Sequence, residues 1–245
     1  MEEIIPGTLY LVSTPIGNLQ DITFRAVYIL KSVDLIASED TRTTSILLRK
    51  YDIKTRMMPY HSYNQKSQTP KLIKYLKEKK TIALVSEAGT PGISDPGYHL
   101  IKACIAENIR LTPIPGPSAI LSALVVSGLP INNFVFEGFL PTKKGRKSKI
   151  EQLFLEKRTI VFFESPHRIL KTASELLNSW GDRHCIMARE ITKKHEEFFR
   201  GTLGELLAFL KSKPPKGEIV LLVQGRESKR GDKDMNFLFK KKQLM

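Results

Sequence analysis

The sequence predicts an α/β protein of two domains, a parallel-sheet N-terminal domain followed by a mixed-sheet C-terminal domain. Three observations carry this. Short apolar runs alternate with amphipathic segments almost throughout the 245 residues, as expected of strands joined by crossover helices. Pro113, Pro115, Gly116 and Pro117 break the alternation near mid-chain, marking a junction. Beyond it, the strand-like runs 184–189 and 196–200 follow one another without a helix between them, which implies an antiparallel element in that half.

Taken in order, residues 9–13 read as the first strand, closed by the turn Pro15-Ile16-Gly17-Asn18. Asp21 or Thr23 then caps a helix with Phe24, Val27 and Leu30 on one face. Residues 33–38 form a second strand, 43–50 a helix and 57–60 a third, short strand. Helix is expected over 70–79, where Leu72, Ile73 and Leu76 have helical spacing. The apolar run 81–86 is a buried strand, 98–107 a helix and 110–114 another strand. After the junction come a helix over 118–127, strands near 134–137 and 159–163, a helix over 168–180 and a strand over 184–189. Strands at 196–200 and 219–223 flank a helix at 203–210. The expected domains are 1–115 and 116–225, with a ligand cleft between them, and a basic tail over 226–245.

The balance of 39 Lys and Arg against 25 Asp and Glu leaves a net charge of +14. Residues 1–125 hold 15 basic and 11 acidic side chains, and residues 126–245 hold 24 and 14. The second half is therefore the polyanion-facing one, since clustered cations release counterions from phosphates. Within it, Lys143, Lys144, Arg146, Lys147 and Lys149 lie in a run free of acidic residues. Gly145 and Ser148 between them suggest a mobile loop that contacts nucleic acid, the plainer reading being a solvated face. No apolar run approaches the roughly 18 residues that span a bilayer. Met1-Glu2-Glu3 lacks the basic start of a secretory signal, and Cys104 and Cys185 form no CxxC pair. A cytoplasmic protein without membrane contact is expected.

Five loops rich in Gly, Pro and small polar residues follow expected strands: 14–18, 39–42, 86–97, 115–119 and 164–168. Open α/β sheets bind ligands at the carboxyl ends of strands, and glycines let backbone approach a ligand closely. Any one of them could be only a turn, but five at corresponding ends point to a binding site. There is no GxGxxG, no GxxxxGK[ST] and no GxSxG, which argues against a Rossmann dinucleotide site, a P-loop and a serine hydrolase. The five histidines are scattered, so no metal is expected; His61, His99 and His184 read as packing or surface residues.

The runs PIGNLQDIT, SEDTRTT, SEAGTPGISDPG, IPGPSAILSALVVSGLP, GFLPTKKGRK, FFESPHR and KGEIVLLVQG together closely resemble the ribosomal RNA small-subunit methyltransferase I family. That family belongs to the tetrapyrrole-methylase superfamily of class III S-adenosylmethionine-dependent methyltransferases. The resemblance spans residues 7–225 in unbroken order. It implies the two-domain tetrapyrrole-methylase fold, S-adenosylmethionine in the interdomain cleft, a homodimer, and 2′-O-methylation of a cytidine in the decoding region of 16S rRNA in the small ribosomal subunit. Glu87 stands where the family has Asp, and no indispensable role is assigned to it. Many relatives continue into a helical C-terminal module, whose RNA contacts the basic tail would have to replace.

Carried onto matching positions, the resemblance places Ala88, Gly89, Thr90 and Ile93 in the main cofactor loop, and Ser118 and Ala119 at the start of a helix beside it. Ala188, Gly217 and Glu218 match further cofactor positions. Methyl transfer to a ribose hydroxyl benefits from a proton acceptor. Glu39 and Asp40, beside Arg42, are the acidic candidates; an ion pair with Arg42 or a helix cap is the competing reading, and the base stays open. Two other functions are compatible with the residues: a methyltransferase acting on a tetrapyrrole, whose carboxylates the excess cations would also attract, and a non-catalytic ribosome-assembly factor that binds RNA.

Overall fold

A computed structural model describes residues 3–227. All but the first two residues of the expected tail, 228–245, lie outside the described residues. The described residues divide into two compact units, 3–122 with 191–194, and 123–190 with 195–227. The division falls beyond Pro117, inside a helix that runs from Ala119 to Val125.

The first unit is an all-parallel, five-stranded sheet of order β3-β2-β4-β1-β5. Its strands are β1 (Thr8–Val12), β2 (Leu35–Ser38), β3 (Met57–Pro59), β4 (Ile82–Val85) and β5 (Arg110–Ile114). Between them lie helices α1 (Phe24–Ser32), α2 (Thr41–Lys50), α3 (Gln65–Lys77) and α4 (Tyr98–Ala106). Alternate strand residues feed two separate cores, as the period of two requires. Tyr10, Val12, Ile36, Ala83 and Val85 pack with Ala26, Ile29 and Leu30 of α1 and Leu47 and Leu48 of α2. Leu9, Leu35, Ala37, Ile82 and Leu84 pack on the other face with Leu72 and Leu76 of α3 and Leu100 and Cys104 of α4. Pro113 sits in β5, an edge strand, where a missing N–H is tolerated.

Two details depart from the sequence pattern. Thr23 caps α1, its hydroxyl accepting from Ala26 N–H at 3.1 Å, but Phe24 is 98% exposed and the buried face is Ala26, Ile29 and Leu30. Helix α3 begins at Gln65, ahead of the expected residue 70, and carries Pro70 inside it. Its first turn is polar and has no apolar period to reveal it. It is held instead by Asn64, whose side chain accepts from His61 N–H and donates to the Pro59 carbonyl.

The second unit is a mixed sheet of order β6-β7-β10-β8-β9. It is formed by β6 (Phe134–Phe139), β7 (Thr159–Glu164), β8 (His184–Arg189), β9 (Glu197–Thr202) and β10 (Ile219–Val223). β6 and β7 are parallel, and the other pairings are antiparallel. Helices α6 (Arg146–Leu153), α7 (Ile169–Trp180) and α8 (Leu203–Ser212) join one core with the sheet, in which Ile150, Leu176, Trp180 and Leu206 meet Phe162, Met187 and Leu221. The Trp180 indole N–H is satisfied by the Ile150 carbonyl at 2.8 Å. α5 (Ala119–Val125) crosses the division between the units.

α6 corrects the expected mobile loop. From Arg146 onward the basic run is helix, because Arg146, Ile150 and Leu153, spaced four and three apart, are all buried on one face. Cys104 and Cys185 are both buried, and burial pushes each thiol up to about 12, far from a reactive thiolate.

Candidate functional site

In the first unit, three of the five small-residue loops converge at the carboxyl end of β1. Thr14 and Gly89 pair through both backbone hydrogen bonds, at 2.9 and 3.1 Å, and the Ser13 and Thr90 hydroxyls meet at 2.9 Å. Gly116 follows β5 and lies against Ser13, where a Cβ would come within 3.0 Å of the Ser13 Cβ. Ser118 immediately precedes α5, its hydroxyl accepting from Leu121 N–H at 3.4 Å. Ala88, Gly89, Thr90, Ser118 and Ala119 are therefore built around one point, with Ile93 exposed beside them. The loop after β1 is seated on 191–194: Asn18 N–H donates to the Thr192 hydroxyl at 3.0 Å. A Cβ on Gly17 would collide with Lys193 and Thr192.

Two observations show that this cradle fits a ligand with polar edges. The Thr14 hydroxyl is buried and has no hydrogen-bond partner in the protein, a costly state that a ligand would relieve. Gly89, at φ +75°, would bring a Cβ to 3.4 Å from the Ile16 side chain and 3.9 Å from the Pro117 carbonyl, so bare left-handed backbone keeps the room between the three loops free.

The acidic candidates separate clearly. Asp40 caps α2, accepting from Arg42 N–H at 2.8 Å and Thr43 N–H at 3.4 Å, and pairs with the Arg42 guanidinium at 2.8 Å. The Arg42 hydrogen bonds hold its carboxyl at about 2, too weakly basic to accept a proton near neutrality. For Asp40 and Arg42 the geometry favours the competing reading, a helix cap and its ion pair. Glu39 is different: burial raises its pKa, against a hydrogen bond from Glu87 N–H at 3.1 Å. Asp95, at the far end of the 86–97 loop, is pushed up to about 6 by burial and by the charge of Glu39, with the Ser86 hydroxyl opposing. His61, after β3, exerts a charge effect on Glu39, and its Nδ1 is buried without a partner.

Asp95 and Thr14 escaped the residue-level reading, and His61 was read only as a packing or surface residue. The first two lie inside quoted loops, but a carboxylate in SDPG and a hydroxyl in STP resemble ordinary turn residues, and only the fold shows Thr14 buried and Asp95 half-buried. Among the described residues, no group of three or more His, Cys, Asp or Glu is arranged to hold a metal ion.

In the second unit, Ala188, Gly217 and Glu218 come together where β8 ends and β10 begins. Glu190 N–H donates to the Glu218 carbonyl, and Glu218 N–H to the Glu190 carboxylate, both at 2.9 Å. Ala188 itself is wholly buried, paired with Val220 and Phe198, so its side chain offers a ligand no surface. Glu164, opening the fifth loop, is buried and accepts from the Thr172 hydroxyl and Ser165 N–H, which makes that loop a structural brace.

The basic run divides. Arg146 is 5% exposed and forks to Glu175, the Pro141 carbonyl and the Thr172 hydroxyl. It is corrected from an RNA contact to a buried bracket, because every arm of its guanidinium is already engaged. Lys149 is half-buried and paired with Glu137 at 2.6 Å. Lys143, Lys144 and Lys147 stand exposed.

A parallel α/β unit whose small-residue loops gather at one strand end, followed by a mixed-sheet unit, defines a two-unit α/β protein with a ligand site at the carboxyl end of its first sheet. Residues 8–207 match the tetrapyrrole (corrin/porphyrin) methylases. The chain is 49% identical over 221 residues to the ribosomal RNA small subunit methyltransferase I of Thermotoga maritima, covering 90% of this chain and 100% of that protein. It is 50% identical over 224 residues to the enzyme of the same name from Halalkalibacterium halodurans, covering 91% and 78%. A solved cobalt precorrin-4 methyltransferase shares the fold, with a TM-score of 0.68 at 16% identity, over 89% of this chain and 95% of that one. The chain belongs to the tetrapyrrole methylase family and, within it, to the ribosomal RNA small subunit methyltransferase I family.

Proposed function

We propose that this chain transfers a methyl group from S-adenosylmethionine to the 2′-hydroxyl of a cytidine in the rRNA of the small ribosomal subunit. The observation that carries the reading is the cradle of the first unit, where three small-residue loops meet around a buried, unpartnered Thr14 hydroxyl. When bound, the cofactor supplies a methyl group activated on a sulfonium. The residues that would hold it are Ala88, Gly89, Thr90 and Ile93 with Ser118 and Ala119. Their contribution is alignment, which lowers a bimolecular barrier by up to roughly 7–11 kcal/mol in ideal cases. Glu39 and Asp95 are the proton acceptors of choice, since burial keeps both more basic than an ordinary carboxylate. Lys143, Lys144 and Lys147 of the second unit meet RNA phosphates. The resemblance further supports a homodimer working in the cytoplasm; light scattering near 28 kDa at micromolar concentration would overturn the dimer.

The deciding experiment incubates the protein with methyl-labelled S-adenosylmethionine and, separately, unmodified 30S subunits, naked 16S rRNA and uroporphyrinogen, followed by nucleoside analysis. Label in 2′-O-methylcytidine from rRNA is the expected result. Label in a base or in the tetrapyrrole overturns the reading, and so does transfer to none of the three.

A further inference from the structure

The second unit contains a cleft that none of the roles above uses. It has a volume of about 410 Å³ and is lined by Glu137, Phe139, Gly145, Ser148, Lys149 and Gln152, among others. Its origin lies in β6. The pairing of β6 with β7 steps over Glu137, so that Phe136 opposes Val161 and Gly138 opposes Phe162. Such a bulge re-aims the side chains that follow it. Here Gly138 is buried and Phe139 is left 55% exposed. The Phe139 ring rests against Phe163, centroids 5.7 Å apart, so it is fixed by a neighbour while still presenting surface.

The rest of the cleft is polar and directional. Glu137 and Lys149 are ion-paired at 2.6 Å, placing an acceptor and a donor side by side, and Gln152 is exposed one helical turn from Ser148. Gly145 precedes α6 at φ +82° without a side-chain cap, and no atom lies within 4 Å of where its Cβ would be. The positive end of α6 therefore opens at the cleft, a favourable place for a phosphate. Lys143 and Lys144 are exposed immediately before it. Arg146 and Arg168 both donate to the carbonyl of Pro141, which anchors the start of this basic segment.

We propose that this cleft docks one unpaired nucleotide of single-stranded RNA. The base stacks on Phe139 with its polar edge toward Glu137, Lys149 and Gln152, and its phosphate lies at the start of α6 between Lys143 and Lys144. The volume suits one nucleotide within the usual range of ligand clefts. An aromatic face beside cations is how single strands are held. The carboxylate of Glu137 in the wall disfavours a bare anion or a polycarboxylate such as a tetrapyrrole. The inference rests on the proposed RNA substrate and adds to it a contact that reads a base.

The test is fluorescence anisotropy with a labelled, mixed-sequence single-stranded oligoribonucleotide of about ten residues, repeated over a salt series. Phe139→Ala should weaken binding on the order of ten-fold at fixed salt, without changing the slope of log affinity against log salt. Phe139→Tyr should restore it. Gln152→Ala, on an exposed helix face, should weaken binding about three-fold, which covers the case in which Phe139→Ala unsettles the fold. The Lys143→Gln, Lys144→Gln double variant should instead flatten the salt slope. If the lysine variant loses RNA while the Phe139 and Gln152 variants bind normally, the nucleotide site is overturned and the RNA reading stands. If all variants bind normally, the nucleotide site and the lysine contacts both fall; if the native protein binds no RNA, the RNA reading falls with them. Cytidine monophosphate competing as tightly as the oligonucleotide would identify a free-nucleotide site and overturn the RNA assignment.

Discussion

Thr14 and Gly89 exchange both of their backbone hydrogen bonds, Thr14 N–H donating to the Gly89 carbonyl and Gly89 N–H to the Thr14 carbonyl. This isolated bridge joins the loop after β1 to the loop after β4, and it holds Gly89 at φ +75°, where a Cβ would touch the Ile16 side chain at 3.4 Å. A valine there would carry a strained backbone as well as a larger side chain, confounding two effects.

Gly89→Asn separates them, since Asn tolerates left-handed backbone. It should cost about 1 kcal/mol of stability or less while filling the cradle. Calorimetry should show S-adenosylmethionine affinity lowered at least ten-fold in a protein whose melting temperature moves by a few degrees. Unchanged affinity would remove the cofactor from this loop.

Asp95 should govern the acid limb of the reaction. Its carboxyl must be ionised to accept a proton, so the methylation rate should fall as pH drops through about 6, and Asp95→Asn should abolish that limb along with most of the activity. The same group has a linked effect on stability. A carboxyl raised above its ordinary 3.8 makes the folded state bind protons more readily than the unfolded one. Stability therefore declines as pH rises from about 4 to about 6, and Asp95→Asn should be the more stable protein at neutral pH but not below pH 4. Denaturant titrations at pH 4 and 7.5 test the sign.

Asp40 works in the opposite direction. Its folded pKa of about 2 lies below the ordinary 3.8, so its contribution is complete above pH 4 and is lost as pH falls toward 2. Asp40→Asn keeps an N-cap acceptor and should retain most of the methylation rate, whereas Glu39→Gln should not. A null Asp40→Asn enzyme that is folded would reinstate Asp40 as a catalytic group.

Arg146→Ala should destabilise the second unit by about 1–3 kcal/mol, since the Thr172 hydroxyl and Pro141 carbonyl lose a charged partner. Arg146→Lys should rescue little, because an ammonium cannot reproduce the planar fork. Thermal unfolding of the two variants measures this, and equal stability to the native protein would contradict the bracket role.

Replacing Lys143, Lys144 and Lys147 together with Gln should lower the magnitude of the salt slope of RNA binding by about 2–3 and leave cofactor affinity unchanged. An unaltered slope would reduce these lysines to a solvated surface.

Most strands were legible because a buried parallel strand is a short apolar run bounded by turns, and Ile82–Val85 and Ile219–Val223 are continuous runs of that kind. The five-loop pattern was legible for a similar reason: glycines and prolines cluster where a strand must turn into a helix, and three of those loops converge on Ser13, Thr14 and Gly89. The start of α3 and the helix within the basic run were not, since neither 65–69 nor 146–149 shows an apolar stripe; their helicity is set by Asn64 and by the burial of Arg146.

Sequence alone determined the order of elements, the all-parallel and mixed sheets, the family and the loops that could cradle a cofactor, because each rests on local periodicity or on residue order. Tertiary structure alone decided what individual charged and polar groups do. Asp40 and Glu39 are adjacent in sequence, yet one caps a helix and is held acidic while the other is half-buried, within reach of the charge of Asp95, and held more basic. Arg146 lies among exposed lysines in sequence, yet it is enclosed by Thr172 and Glu175 from a helix far along the chain. Burial and hydrogen bonding set the protonation and availability of a side chain, and both depend on residues that only folding brings together.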